Sequence, residues 1–190
     1  MARTTDRDGA KAAIEAFLRA VGAPLDDDPE LRSTGDRVAA AFIDELLAGY
    51  DQDPARILAD TTATRAPGLV VVRGLPVSTM CPHHLLPAQG VAHVGYLPDG
   101  KIVGLGALGR LTECYARRLI LQEDLGQRVA DALVEHLGAR GAACMLDLAP
   151  TCLTGRGGRH HGARAVTTAF AGPMAADPEL SRQFLASIGT

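Results

Sequence analysis

Tryptophan is absent, and aromatic residues make up only 4% of the 190 residues. That removes the stacking platform on which single-stranded nucleic acid is held. No apolar run approaches the ~20 residues that span a bilayer. The opening stretch "MARTTDRDGAKAAIEAF" lacks the basic start and apolar block of a secretory signal, so the expected compartment is the cytoplasm. A net charge of −3 supplies no general pull toward nucleic acid or a membrane surface. Cysteines number only four, at 81, 114, 144 and 152. In a cytosolic chain they are core residues, ligands or nucleophiles rather than disulfides. No internal repeat is present.

What the chain does have is core material. Hydrophobic residues make up 47%, enough in a chain of this length for one domain with a real interior. Ala13, Phe17, Ala20 and Val21 recur at helical spacing within residues 8–22, before Gly22 and Pro24. Val38, Phe42, Leu46 and Leu47 mark a second helix stopping near Gly49. Asp26, Asp27 and Asp28 between them form a solvated loop. "TTATRAPG" breaks the helical pattern, and from Gly68 onward the chain turns to strands. "LVVVRGLPV" is β-rich, and "GVAHVGYLP" alternates. "PDG" at 98–100 is a hairpin turn into "KIVGL". Leu125, Val129, Leu133 and Leu137 define a long helix ended by Gly138. "AACMLDL" and "ARAVTTAF" are further strands, and "PELSRQFLASI" closes as a helix. The class is α+β, an antiparallel sheet with helices on one face and a helical N-terminal segment.

Two clusters carry chemistry. "STMCPHHLLP" at 78–87 sets Cys81 three residues before His84, with His83 between, on a turn after a strand. Thiolate and imidazole are zinc donors, and a catalytic zinc keeps three protein ligands and one open position. A lone Cys-x-x-His is a weak signal, since a buried thiol and a histidine in a proline-shaped turn look the same. The second cluster, "DLAPTCLTGRGGRHHGAR", offers Cys152 as a third ligand, with His160 and His161 as alternatives on a Gly-rich loop. Arg156, Arg159 and Arg164 make that stretch basic, as an anionic substrate would require and as a solvated loop would also show. Gln122 and Glu123 open the long helix, where a carboxylate also complements the helix dipole. Cys114, on a helical stretch, and Cys144, in an apolar strand, are expected to be inert.

Taken together, these segments resemble the GTP cyclohydrolase I family over nearly the whole chain after residue 10. The family's "S-T-C-E-H-H-x-x-P" turn matches Ser78, Thr79, Cys81, His83, His84 and Pro87. Its "G-x-A-x-V-x-Y-x-P" matches Gly90, Ala92, Val94, Tyr96 and Pro98. Its "G-L-S-K-x-x-R" falls on Gly104 to Arg110, "A-x-R-P-x-x-Q-E-x-L" on Ala116 to Leu125, "H-x-C-x-x-x-R-G" on Pro150 to Gly157, and "T-P-x-R-V" on Thr34 to Val38. The resemblance implies a single domain over 1–190, with a helical part to about residue 65 and a tunnelling-fold core from 66. It implies Zn2+ on Cys81, His84 and Cys152, and His83 as acid/base. Glu123 would read the guanine edge, with Gln122, Leu105, Arg110, Arg156 and Arg37 as further substrate contacts. His160, His161, Arg159 and Arg164 are additional candidates. The implied reaction is hydrolytic opening of the purine imidazole ring, loss of formate and closure of a pterin. The implied partners are a purine or purine nucleotide and copies of the chain itself, in a decamer of two pentameric rings, with no nucleic acid and no membrane.

The departures matter as much. The family's Ser-Lys pair is Gly106-Ala107 here, its second catalytic histidine is Pro150, and the Glu after the first ligand is Pro82. Alanine neutralises no phosphate and proline moves no proton. Two other readings therefore stand beside the cyclohydrolase: a paralogue using a purine without a triphosphate or halting after ring opening, and a non-catalytic purine-binding scaffold. An open three-ligand site argues against the scaffold.

Overall fold

Asp6 accepts a hydrogen bond from the Gly9 N–H at 2.8 Å and so caps α1 (Arg7–Ala20). This helix packs on α2 (Thr34–Ala40), which runs on as a π-helical turn over Ala41–Leu46 and a 3-10 turn over Ala48–Asp51. A short α3 (Pro54–Ile57), capped by Asp53, leads to β1 (Thr61–Ala63). The computed structural model describes residues 3–65 and 68–189, so the expected boundary at residue 66 lies outside the described residues.

From there the chain forms β2 (Val70–Met80), β3 (Pro87–Leu97) and β4 (Lys101–Val103). Helices α4 (Leu105–Ala116) and α5 (Gln122–Glu135) come next, then β5 (Gly141–Pro150), a one-turn α6 (Thr151–Thr154), β6 (Ala165–Ala171) and α7 (Pro178–Ile188). Four strands make an antiparallel sheet in the order β2-β3-β5-β6. The mixed helix and antiparallel-sheet class read from the sequence is the observed one.

Alternation along β3 sorts the two faces. Ala92, Val94 and Tyr96 are fully buried and join Leu108, Leu111, Leu125, Val129 and Leu133 of α4 and α5 in the main core. The other face is covered too, which corrects the expectation of helices on one side only. Phe184 and Ile188 of α7 pack with Leu97, Ala143, Met145 and Met174 in a second cluster. The residues of β3 and β5 that alternate away from α4 and α5 are apolar at that end, and the amphipathic last helix covers them.

The turn at 98–100 also behaves differently from a simple hairpin. Gly100 has φ +72° and reverses the chain as expected, but β4 pairs with β1 in a separate two-stranded ladder rather than with β3. Both edges of β3 are already occupied at that end, by Val70 against Tyr96 and by Gly141 against Leu97. The stretch "TTATRAPG" accordingly contributes a strand. Helix α4, whose limits no sequence pattern marks, forms despite Gly106 and Gly109, because it buries Ala107, Leu108, Leu111, Cys114 and Tyr115. Burial outweighs a glycine cost of about 1 kcal/mol each.

The 3-10 turn after α2 touches the end of α4 at Gly49. Its N–H donates to the Arg117 carbonyl at 3.0 Å, and a Cβ there would lie 2.3 Å from the Cys114 carbonyl oxygen. Only glycine permits that approach. Gly49→Ala should therefore destabilise by about 1–3 kcal/mol, read as a lower urea midpoint. An unchanged midpoint would mean that this contact does not hold the two segments together.

Candidate metal centre

Strands β2 and β5 are both antiparallel to β3, so they run parallel to each other and end on the same side of the sheet. Met80, the last residue of β2, pairs with Pro87, and Pro150, the last of β5, pairs with Ala88. The two strand ends thus flank the first residues of β3, about two strand spacings apart, or ~10 Å. The segments beyond the two ends close the gap. After β2, the Cys81 N–H donates to the Leu86 carbonyl at 3.0 Å, and the Leu85 N–H to the Cys81 carbonyl at 2.9 Å. This tight turn holds Leu85 at φ +53°, a left-handed conformation that costs a branched side chain roughly 1–2 kcal/mol. After β5, the Thr151 hydroxyl donates to the Pro87 carbonyl at 2.6 Å and pins α6, with Cys152, over the start of β3.

The result is a cluster of Cys81, His84 and Cys152 whose donor atoms all lie within 4.8 Å of one another. Cys81 Sγ is 4.0 Å from His84 Nδ1. A tetrahedral ion with bonds of ~2.0–2.3 Å separates its donors by roughly 3.5–3.8 Å. The trio therefore fits one metal ion with a small inward shift, and it leaves one position of a four-coordinate shell open. Burial and the adjacent Cys81 sulfur both push the Cys152 thiol up, and Arg156 opposes them. Two sulfurs crowded together in this way lose their protons most readily to a cation between them.

Cys81 and Cys152 of the trio border a cleft of about 210 Å³. His83, Glu123, Gln122, Pro150 and Cys152 contribute to its walls. The segment before α5 reaches the metal turn because Leu119 forms a parallel bridge with Met80. Gln122 anchors α5 to the sheet, its amide nitrogen donating to the carbonyls of Leu146 (3.3 Å) and Ala165 (2.8 Å) and to the Thr167 hydroxyl (3.2 Å). The neighbouring Glu123 carboxylate makes no hydrogen bond or ion pair with the described residues and is free to accept from a ligand. His83 stands edge-on to His84, with ring centroids 6.3 Å apart, and has no hydrogen-bond partner among the described residues.

Other candidates from the sequence lie elsewhere in the chain. Helix α4 runs alongside β2, Gly109 beside Leu75, so Leu105 and Arg110 sit by the first half of that strand while Cys81 comes after its last residue. Arg110 borders a separate groove with Asp53, Arg56, Asp60 and Glu113. Arg37 is exposed on α2. Arg164 is held by Asp147, its Nε 2.6 Å from the carboxylate. Arg156, Arg159, His160 and His161 are exposed on the loop between α6 and β6, and the His160 ring lies against Gly158. Thr79 of the same turn motif lines the cleft too, as do Ala88, Ile120 and Leu121, which no sequence motif singles out for that role. Their one signal is position, immediately beside the motif residues.

An α+β chain in which two cysteines and a histidine converge beside a small cleft, with one coordination position open, has the architecture of an enzyme that could hold a metal ion. The sequence matches the profile of GTP cyclohydrolase I over residues 10–189, and the chain belongs to that family. It is 38% identical over 186 residues to a GTP cyclohydrolase 1 of Chromobacterium violaceum, covering 98% of this chain and 90% of that protein. It is 43% identical over 175 residues to one of Corynebacterium aurimucosum, covering 90% and 87%. To one of Dehalococcoides mccartyi it is 35% identical over 188 residues, covering 96% and 97%.

Removing one donor should empty the centre. Cys152→Ala should lower bound metal, measured by elemental analysis, from one ion per chain to background, and full occupancy would refute the ligand set. Cys144 is fully buried and pushed up to about 12 by burial alone, and burial also raises Cys114. Cys144→Ala should keep its metal, and neither thiol should react with a maleimide at pH 8 until the chain unfolds.

Proposed function

We propose that this chain is a zinc-dependent cyclohydrolase that hydrolytically opens the imidazole ring of GTP or a closely related guanine nucleotide. The observation that carries the reading is the Cys81–His84–Cys152 trio, whose two cysteines border a cleft that also holds a free carboxylate and a free imidazole, in a chain of the GTP cyclohydrolase I family. Two thiolates and an imidazole select zinc over the hard cations, which prefer oxygen. When bound, zinc acidifies water and so supplies a hydroxide equivalent at neutral pH.

The protein's own groups do the rest. Glu123 presents two acceptor oxygens to the N–H and amino donors on the guanine edge, an arrangement that reads guanine rather than adenine. Gln122 holds the start of α5, and with it Glu123, against the sheet. His83 moves the proton at the nitrogen that leaves when the ring opens. Ile120, Leu121, Pro82 and Pro150 keep the cleft apolar between these groups.

A second reading is favoured by Pro150, which lines the cleft where the resemblance expects a histidine. The later steps need further proton transfers at the ribose, and a proline offers none, so the reaction halts after ring opening and hydrolytic loss of formate, before the ribose rearranges. A non-catalytic scaffold is disfavoured, because a binding module has no use for an open coordination position.

A tunnelling fold and a ring assembly belong to the same proposal. The four-stranded sheet has two edges, β2 and β6, and joining copies edge to edge removes both. Arg110 and the two metal-site cysteines border different clefts of one chain, and a shared site unites them only across a subunit boundary. Ten chains in two five-membered rings, in the cytoplasm, is the assembly we infer. Among the described residues no helix is long and apolar enough to cross a membrane.

With saturating GTP, the zinc protein should release formate, while pterin fluorescence stays at least about 10²-fold below that of a relative with histidine at the position of Pro150. Equal pterin formation would show that this proline costs nothing, and absence of formate from any guanine nucleotide would sink the cyclohydrolase reading. His83→Ala should slow formate release by roughly 10²–10⁴-fold with zinc retained. Light scattering of active protein should give a mass near ten chains, and an active monomer would rule out the ring.

A further inference from the structure

One buried oxygen beside the metal centre has nothing to bond. Thr79 is only 6% exposed, and its Oγ1 has no hydrogen-bond partner among the described residues and almost no access to solvent. A hydroxyl in that state has given up its hydration and gained no bond in exchange. Other threonines of the fold are not left this way. Thr112 donates to the Leu108 carbonyl at 2.8 Å, and Thr151 to that of Pro87 at 2.6 Å. Buried hydroxyls are as a rule paired, so the partner of Thr79 comes from outside the chain.

Its position says where from. Thr79 pairs with Ala88, and Ala88 pairs on its other side with Pro150. Directly paired residues of a sheet share a face, so the three form one row, and all three line the metal cleft. That row is the sheet side of the cleft. Cys81 follows Thr79 by two residues, and Cys152 follows Pro150 by two. Gln122 and Glu123, at the start of α5, supply another wall. Thr79 also borders a separate cavity of about 190 Å³ with Glu45 and Arg117, and neither of these bonds the hydroxyl. A threonine re-aims its hydroxyl by one staggered well about χ1, so the cleft is within its reach.

Guanine has two kinds of polar edge. Its N1–H and amino group donate, and its O6 and N7 accept. Glu123, an acceptor, takes the donors, and the acceptors need a donor in return. Outside the metal ligands, the side-chain donors lining the cleft are Thr79, His83 and Gln122. The Gln122 amide is committed to Leu146, Ala165 and Thr167, and His83 acts at the leaving nitrogen. We propose that Thr79 is a base-positioning residue, its hydroxyl donating to the O6/N7 edge of the guanine whose donor edge Glu123 holds. The identity of the base rests on the cyclohydrolase reading. Anchors on two different edges fix a planar ring in rotation as well as position, which keeps its five-membered ring turned toward the metal trio. The hydroxyl thus trades stability of the empty protein for affinity.

Thr79→Val keeps the shape and removes the hydroxyl, while Thr79→Ser keeps the hydroxyl. Both should retain their zinc by elemental analysis. Without ligand, Thr79→Val should melt at a higher temperature than the parent, because the unpaired oxygen is gone. In calorimetric titration it should bind guanosine about tenfold more weakly, and Thr79→Ser should restore the affinity. Exchanging N7 for CH (7-deazaguanosine) or O6 for sulfur (6-thioguanosine) should weaken binding to the parent, and at least one of these penalties should vanish in Thr79→Val. Inosine, which lacks the amino group that Glu123 reads, should lose the same factor on both proteins. A lower melting temperature for Thr79→Val, unchanged guanosine affinity, no restoration by Thr79→Ser, or both analogue penalties intact would each overturn the assignment. If no guanine nucleotide yields formate while guanosine binding still depends on the Thr79 hydroxyl, the base contact stands and the cyclohydrolase reading falls. If formate forms and Thr79→Val leaves guanosine affinity and KM for GTP unchanged, the reverse holds.

Discussion

Strand β3 pairs along nearly its whole length with β2 on one side and β5 on the other, and that double register places everything that bears chemistry. Because the side-chain period of a strand is two, a slip by one residue on either side would turn Ala92, Val94 and Tyr96 out of the main core. The same slip would move Met80 or Pro150 away from the start of β3 and separate the two thiols. Core and metal centre are therefore specified by one constraint. Sequence variation that preserves the core face of β3 also preserves the ligand geometry, while the walls of the cleft are free to change.

Change in the walls is what this chain displays. The donor trio and Glu123 are in place, while Pro82 and Pro150 stand where the resemblance expects groups that bind or transfer protons. Proline contributes an apolar, stiff surface with no N–H. Its presence on two sides of the cleft makes the pocket drier and less able to shuttle protons than a site lined with histidine and glutamate. At the far end of β2, Ala107 is buried among the core residues of α4, so a lysine there would have to turn outward to meet a ligand.

Much of this is legible from residue order, for identifiable reasons. The long helix α5 announces itself through apolar residues at every fourth position, and β3 through strict alternation, because each buries one face only. The Cys81–His84 spacing puts two ligands on one turn. The third ligand stays open between Cys152 and the His160–His161 pair, since no local pattern reports which of three residues on a Gly-rich stretch faces a turn about 70 residues away in the chain. The hydrogen bond from Thr151 to Pro87 decides it, and that bond is tertiary. The partner of β4 is equally hidden, because whether a strand edge is vacant depends on the whole sheet. Arg118, in sequence only one member of a motif, owes its position to carbonyls of Gly49 and Cys114 that are distant from each other along the chain.

The left-handed turn at Leu85 and the pinned α6 have a consequence for the order of folding. The Cys81–Leu86 turn is closed by its own backbone hydrogen bonds and can form as soon as β2 and β3 meet, a local event of microseconds. Cys152 arrives only when β5 docks on the other side of β3, after α4 and α5 have been threaded between, and that long closure is the slow kind of step. A half-built chain thus carries a two-donor fragment of weak affinity, and the full set of donors exists only once the sheet is complete. An ion that needs all three donors therefore meets them only on the finished sheet.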